Sequence, residues 1–134
     1  MTSGKVFIAV DLGAGSGRVI AARTDFSKLE LEEIHRFDNP GTDLPGGSFW
    51  NIVGLYREIL EGLRRAVERH GENIVSIGID TWGCDFGLVD ENGELLGMPH
   101  QYRDPRFEGM AEAMHAILPE AEIYAQTGLK TNFY

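Results

Sequence analysis

Apolar positions run along this chain in two rhythms. Residues 6–10, VFIAV, form a short apolar run closed by an acid at Asp11, the mark of a buried strand. Three glycines follow at 13, 15 and 17, and the apolar stretch from Val19 predicts a second strand, ended by turn chemistry at residues 25–28. Leu29 and Leu31 then alternate with acids, as a third strand would. That alternation slips at Glu32 and Glu33 before Ile34 and Phe37, which predicts a bulge. Residues 38–48, DNPGTDLPGGS, are dense in Gly, Pro and Asp and read as a loop.

Beyond the loop the period changes. Ile52, Leu55, Tyr56, Ile59, Leu63, Ala66 and Val67 recur at spacings of three and four, the stripe of an amphipathic helix. Asn51 suits its N-cap and Gly71 its C-cap, Arg69 and His70 complement the C-terminal dipole, and Trp50 reads as a hydrophobic staple. NIVSIGIDTWG then repeats the opening pattern, an apolar strand ending in an acid at Asp80. FGLVDENGELLG carries a hairpin signal, and residues 110–128 predict two helices divided at Pro119 and stopped at Gly128. LKTNFY follows without a closing signal.

The order is strand, strand, strand, helix, strand. An antiparallel meander leading through a crossover helix into a further strand is the ribonuclease H-like arrangement, an α/β fold with a mixed sheet. A doubly wound dinucleotide fold would need a helix directly after the glycines, where this chain offers a strand.

Length and charge narrow the chemistry. The 134 residues amount to one domain, and the net charge of -9, from 12 basic and 21 acidic side chains, disfavours a nucleic-acid partner. Any phosphate must therefore be gripped locally. The single cysteine, Cys84, cannot form an internal disulfide and reads as a core thiol, and the four histidines show no ligand spacing. No apolar stretch approaches the roughly 18 residues of a membrane span, and MTSGKVFIAVD has neither a basic leader nor a cleavage site. A cytoplasmic location is expected, with no membrane partner.

The glycine loop is the first candidate site. Glycines 13, 15 and 17 permit positive φ, and their missing side chains let phosphate oxygens reach backbone amides. A phosphate P-loop would need lysine and a hydroxyl where Arg18 and Val19 stand, and the G-x-G-x-x-G pattern fails at Arg18. The bland alternative is a ligand-free Gly-rich turn. Against it stands Asp11, a carboxylate at a strand end, placed to hold magnesium through water beside a nucleotide phosphate.

Other candidates divide more evenly. Asp80 serves equally as a turn cap, and Trp82 equally as packing or as a face for sugar C–H groups. Arg64, Arg65 and Arg69 read as a solvated face paired with Glu61 and Glu68. Asp11, Glu58 or Glu61, and Asp80 also follow the carboxylate order of a two-metal nuclease. The triple glycine has no purpose in such an enzyme, and no basic stripe is present. A non-catalytic binding domain on the same fold is the third reading.

DLGAGSGR after an apolar strand resembles the first phosphate-binding hairpin of the actin-like ATPase superfamily. SIGIDTWGCDFGLVDENGELLG followed by YRDPR sharpens the resemblance to the FGGY carbohydrate kinases. It runs along the whole chain but covers only the first quarter to third of such an enzyme, inside its first ribonuclease H-like domain, which would be incomplete here. The resemblance implies ATP-dependent phosphorylation of a ketose, L-rhamnulose foremost, with ATP and Mg2+ as cofactors. It gives Asp11 to magnesium, Gly13, Ala14, Gly15, Ser16 and Gly17 to the nucleotide phosphates, and Arg18 to steadying the hairpin or its anion. It gives Gly83, Thr81, Trp82 and Asp85 to the sugar pocket, with Arg103 and Asp104 as further polar contacts. The family's catalytic aspartate would lie beyond Tyr134, so the chain alone is expected to be inactive.

Overall fold

A computed structural model describes residues 4–25 and 27–130. Residues 1–3 of the opening segment and the last four of LKTNFY lie outside the described residues. Four strands, β1 (Val6–Leu12), β2 (Ser16–Thr24), β3 (Leu29–Asp38) and β6 (Ile74–Thr81), form one sheet in the order β3-β2-β1-β6. β1, β2 and β3 make the antiparallel meander, and β6 runs parallel to β1 after the crossover helix α1 (Ile52–His70). The mixed sheet expected from the element order is present. Two further helices, α2 (Met110–Ile117) and α3 (Glu120–Thr127), break at Pro119, and Gly128 caps the second in the left-handed conformation.

The core lies between α1 and one face of the sheet. Val6, Ile8 and Val10 of β1, Val19 and Ala21 of β2, and Ile34 of β3 point to that face and pack with Ala66, as period-two alternation requires. Asn51 caps α1 by accepting the Gly54 amide, and Gly71 closes it. The bulge falls where the alternation slips: Val19 pairs with His35 but Ile20 with Glu33, so Ile34 is left over and turns into the core. Polar pairs tie α1 to β3, with His35 Nε2 at 2.9 Å from Glu58 and Arg69 Nη1 at 3.0 Å from Glu32. Arg64 pairs with Glu61 and Glu68, and Arg65 with Glu61, on the solvated side. Of the three predicted basic residues, only Arg69 reaches across to the sheet.

Three expectations need correction. Residues 38–48 are not all loop: β4 (Thr42–Leu44) and β5 (Gly47–Phe49) form a small hairpin. Its stability comes from distant residues, since Gln101 donates its amide to Ser48 O (2.9 Å) and its side chain to Phe49 O (3.1 Å). Cys84 is exposed rather than a core thiol. The ENG hairpin shrinks to one bridge, Val89 with Leu95, around a turn in which Asp90 accepts the amides of Asn92 and Glu94.

β6 is one of the sheet's two edge strands among the described residues. Val75, Ile77 and Ile79 are 49%, 55% and 64% exposed, and α1 packs chiefly over β1, β2 and β3.

Candidate functional site

β1 and β6 end side by side. Their parallel register places Asp11 opposite Asp80, and the Trp82 amide donates to Leu12 O at 3.2 Å. The glycine hairpin and the TWG segment therefore abut, both leaving the sheet at the C-terminal ends of parallel strands. Asp11 sits out of phase with Val6, Ile8 and Val10, so it faces away from α1.

Asp11 is half-exposed and pairs with Arg18, its cross-strand neighbour, with Nε 3.1 Å from Oδ2. Arg18 Nε is buried and has no well-aligned hydrogen-bond partner, so the pair is held by charge at close range. Arg18 thus steadies the strand that carries the carboxylate.

The hairpin does not work by positive φ, contrary to expectation. Among the described residues the positive-φ glycines are 41, 47, 71, 93, 109 and 128, and none belongs to the loop. Space is what demands glycine: a Cβ at Gly13 would sit 2.8 Å from Ser16 O, and one at Gly17 would strike the Phe37 ring. At Gly15 nothing lies within 4 Å of such an atom, so that position is open to an approaching ligand.

Sequence reasoning missed Asn39. It is 3% exposed and grips the loop twice, through its amide to Gly15 O (3.0 Å) and its side-chain Nδ2 to Gly13 O (3.0 Å). With those carbonyls tied back and Gly13 N donating to Ser16 O (3.0 Å), no hydrogen bond engages the amides of Ala14 and Gly15 among the described residues. Two free amides beside an open glycine and a half-exposed carboxylate suit a magnesium-bound polyphosphate: the amides match phosphate oxygens and the carboxylate matches the metal.

The TWG segment is organised around one carboxylate oxygen. Asp85 Oδ2 accepts the indole N–H of Trp82 and that of Trp50, each at 2.7 Å, and the two rings lie 4.5 Å apart with a 49° tilt. Trp50 is no mere staple, because it is 1% exposed and its indole N–H reaches across to residue 85. Thr81 and Gly83 are exposed beside Trp82.

Arg103 and Asp104 divide. Arg103 is exposed, with its guanidinium 4.7 Å from the Tyr102 ring centroid. Asp104 is 5% exposed and accepts the amides of Arg106 (2.8 Å) and Ser48 (2.7 Å), with His100 Nδ1 at 3.2 Å. Those amides, Arg106 first, hold its carboxyl below the usual carboxylate range. Its oxygens are spent on joining loop to hairpin.

The nuclease carboxylates do not assemble. Glu58 pairs with His35, Glu61 with Arg64 and Arg65, and no three His, Cys, Asp or Glu side chains converge for a metal among the described residues. A cleft of about 240 Å³ opens between the end of β3 and the start of α1, flanked by Asn39, Asn51 and Glu58, and none of the residues given to phosphate or sugar lines it. Among the described residues no helix is long and apolar enough to cross a membrane.

The sheet order, crossover and paired strand ends are those of part of an actin-like ATPase fold. Gluconate kinase from Lactobacillus acidophilus superposes with a TM-score of 0.76 at 14% identity, over 94% of this chain and 25% of that one. Plasmodium falciparum glycerol kinase with ADP superposes at 0.75 and 18% identity, over 98% and 27%. In sequence the kinship is narrower. Rhamnulokinase from Bacteroides thetaiotaomicron is 47% identical over 124 residues, and that from Oceanobacillus iheyensis 46% over 123, each match covering 92% of this chain. The chain is thus similar to rhamnulokinases over nearly all of its own residues, and spans 25% and 26% of the length of these two relatives. No family model matches it.

Proposed function

We propose that this chain is the opening part of a cytoplasmic, ATP-dependent kinase that phosphorylates the 1-hydroxyl of L-rhamnulose. The observation that carries the reading is the hydrogen bond from Trp82 N to Leu12 O, which sets a phosphate-sized hairpin against a polar and aromatic segment suited to a sugar. The names of the relatives at 46–47% identity support the choice of ketose.

In this reading the amides of Ala14 and Gly15, with Ser16 and Gly17 beside them, receive the nucleotide phosphates. Asp11 holds the magnesium ion that accompanies ATP, and that ion offsets charge on the transferring group. Thr81, Trp82, Gly83 and Asp85 orient the ketose, with Arg103 at the margin. Holding both substrates in line supplies much of the acceleration in phosphoryl transfer. The base that takes the hydroxyl proton is assigned to a residue outside these 134, so the chain by itself turns over no sugar.

The test is ADP formation by the complete gene product with magnesium-ATP and L-rhamnulose, L-fuculose, D-xylulose, L-ribulose or glycerol. Preference for L-rhamnulose is the expected result. Preference for another sugar overturns the ketose assignment, and no turnover with any of them overturns the kinase reading.

Asn39 gives a more local prediction. Asn39→Ala keeps the backbone bond to Gly15 O but frees the Gly13 carbonyl, a loss of about 1.4 kcal/mol and so about tenfold in the KM for ATP. The KM for the ketose should stay within about twofold on the same scale. Steady-state kinetics with each substrate varied in turn checks both, and an unchanged KM for ATP refutes the role.

A further inference from the structure

We propose that Trp50 is a positioning residue for the sugar end of the site, acting through the carboxylate of Asp85. This rests on the kinase reading above. A buried indole N–H needs an acceptor, because it is shut off from water and can only donate. Trp50 is 1% exposed, and its ring nitrogen finds Asp85 Oδ2 at 2.7 Å. Trp82 supplies a second indole N–H to the same oxygen at the same distance.

Two donors on one oxygen fix the carboxylate plane. They leave Oδ1 of Asp85 as the acceptor for a ligand hydroxyl, while the tilted contact between the two rings holds the Trp82 indole in one attitude. The anchor is rigid at its other end too. The Trp50 amide donates to Pro99 O at 2.8 Å, and the residue directly precedes the Asn51 cap of α1. The segment that meets the sugar is thereby fastened to the long helix by a residue that never touches the sugar. Asp85 without Trp50 would keep one donor and regain freedom to rotate, which weakens its grip on a hydroxyl and leaves the phosphate hairpin alone.

The test is a double-variant cycle in the complete gene product. Trp50→Phe keeps an aromatic ring but removes the N–H, and the KM for L-rhamnulose should rise about tenfold, as expected for a hydrogen bond to a charged group. The KM for ATP should stay within about twofold. In an Asp85→Ala background, Trp50→Phe should add less than about twofold, because the oxygen that accepts its N–H is already gone. Effects that multiply in the double variant, a ketose KM that does not move, or an equal rise in both KM values would each overturn the proposal.

A wild-type enzyme that turns over none of the sugars marks a failure of the kinase reading itself. A wild-type enzyme active on a ketose other than L-rhamnulose sends the same cycle to that sugar. If Trp50→Phe does not fold, the indole N–H signals of the 15N-labelled wild type decide. The Trp50 signal, recognised by its slow solvent exchange, should shift together with that of Trp82 when L-rhamnulose is added without ATP, and movement of the Trp82 signal alone overturns the coupling.

Discussion

Asp11→Ala is expected to lower the kcat of the complete gene product about a thousandfold, a barrier increase of about 4 kcal/mol. The site has one carboxylate at the end of β1 facing the hairpin, and Asp80 across the register belongs to the strand that leads into the TWG segment. No other acid in the 11–18 hairpin can take over the metal. The fold should barely notice. Asp11 is half-exposed, its one close partner is Arg18 at 3.1 Å, and an exposed ion pair contributes about 0–1 kcal/mol. Steady-state kinetics and a thermal melt on the same preparation check the split. A kcat within about tenfold of wild type would remove Asp11 from the machinery, given what one electrostatic contact contributes elsewhere.

The second large effect concerns stability and is independent of any activity. Gly62 faces the sheet from α1, and a Cβ there would lie 2.9 Å from Val19 Cβ and 3.4 Å from His35 Cβ. Val19 is wholly buried, so it cannot swing aside. Two terms oppose each other in Gly62→Ala: alanine favours the helix by about 1 kcal/mol, while overpacking a tight core costs about 1–3 kcal/mol. The overlap with a buried β-branched side chain decides in favour of the cost. A net loss of about 1–2 kcal/mol is expected for alanine, and about 3 kcal/mol or more for Gly62→Val, which adds bulk and gives back helix propensity. Urea unfolding of both variants measures this. A Gly62→Ala protein as stable as wild type would mean that α1 can lift off the sheet without loss.

What the sequence discloses follows from the range of the forces involved. The meander, the capped helix and the bulge are written in local periodicity, and the leftover residue at Ile34 is the slip in the alternation made visible. The hairpin of β4 and β5 is not so written. Its Gly- and Pro-rich stretch has loop composition, and Gln101 and Asp104, more than fifty residues away in sequence, pull it into strands. The same limit separates the site residues. Asp11 and the glycines stand out because their chemistry is contiguous, whereas Asn39 holds the loop from 26 residues downstream and Trp50 reaches Asp85 across 35. The glycines themselves are legible as a tight hairpin but not in their cause, which is crowding by Ser16 and Phe37 instead of a left-handed backbone.

The division of labour between β1 and β6 has an evolutionary reading. In the proposed reading, phosphate grip would sit on an antiparallel hairpin braced by Asn39 and sugar contact on a separate strand end braced by Trp50, the two joined at Leu12 and Trp82. Drift in residues 81–85 would then retune which polyol is accepted without disturbing the hairpin's geometry. On that reading, a lineage built on this scaffold would change its diet by editing one strand end and inherit the other intact.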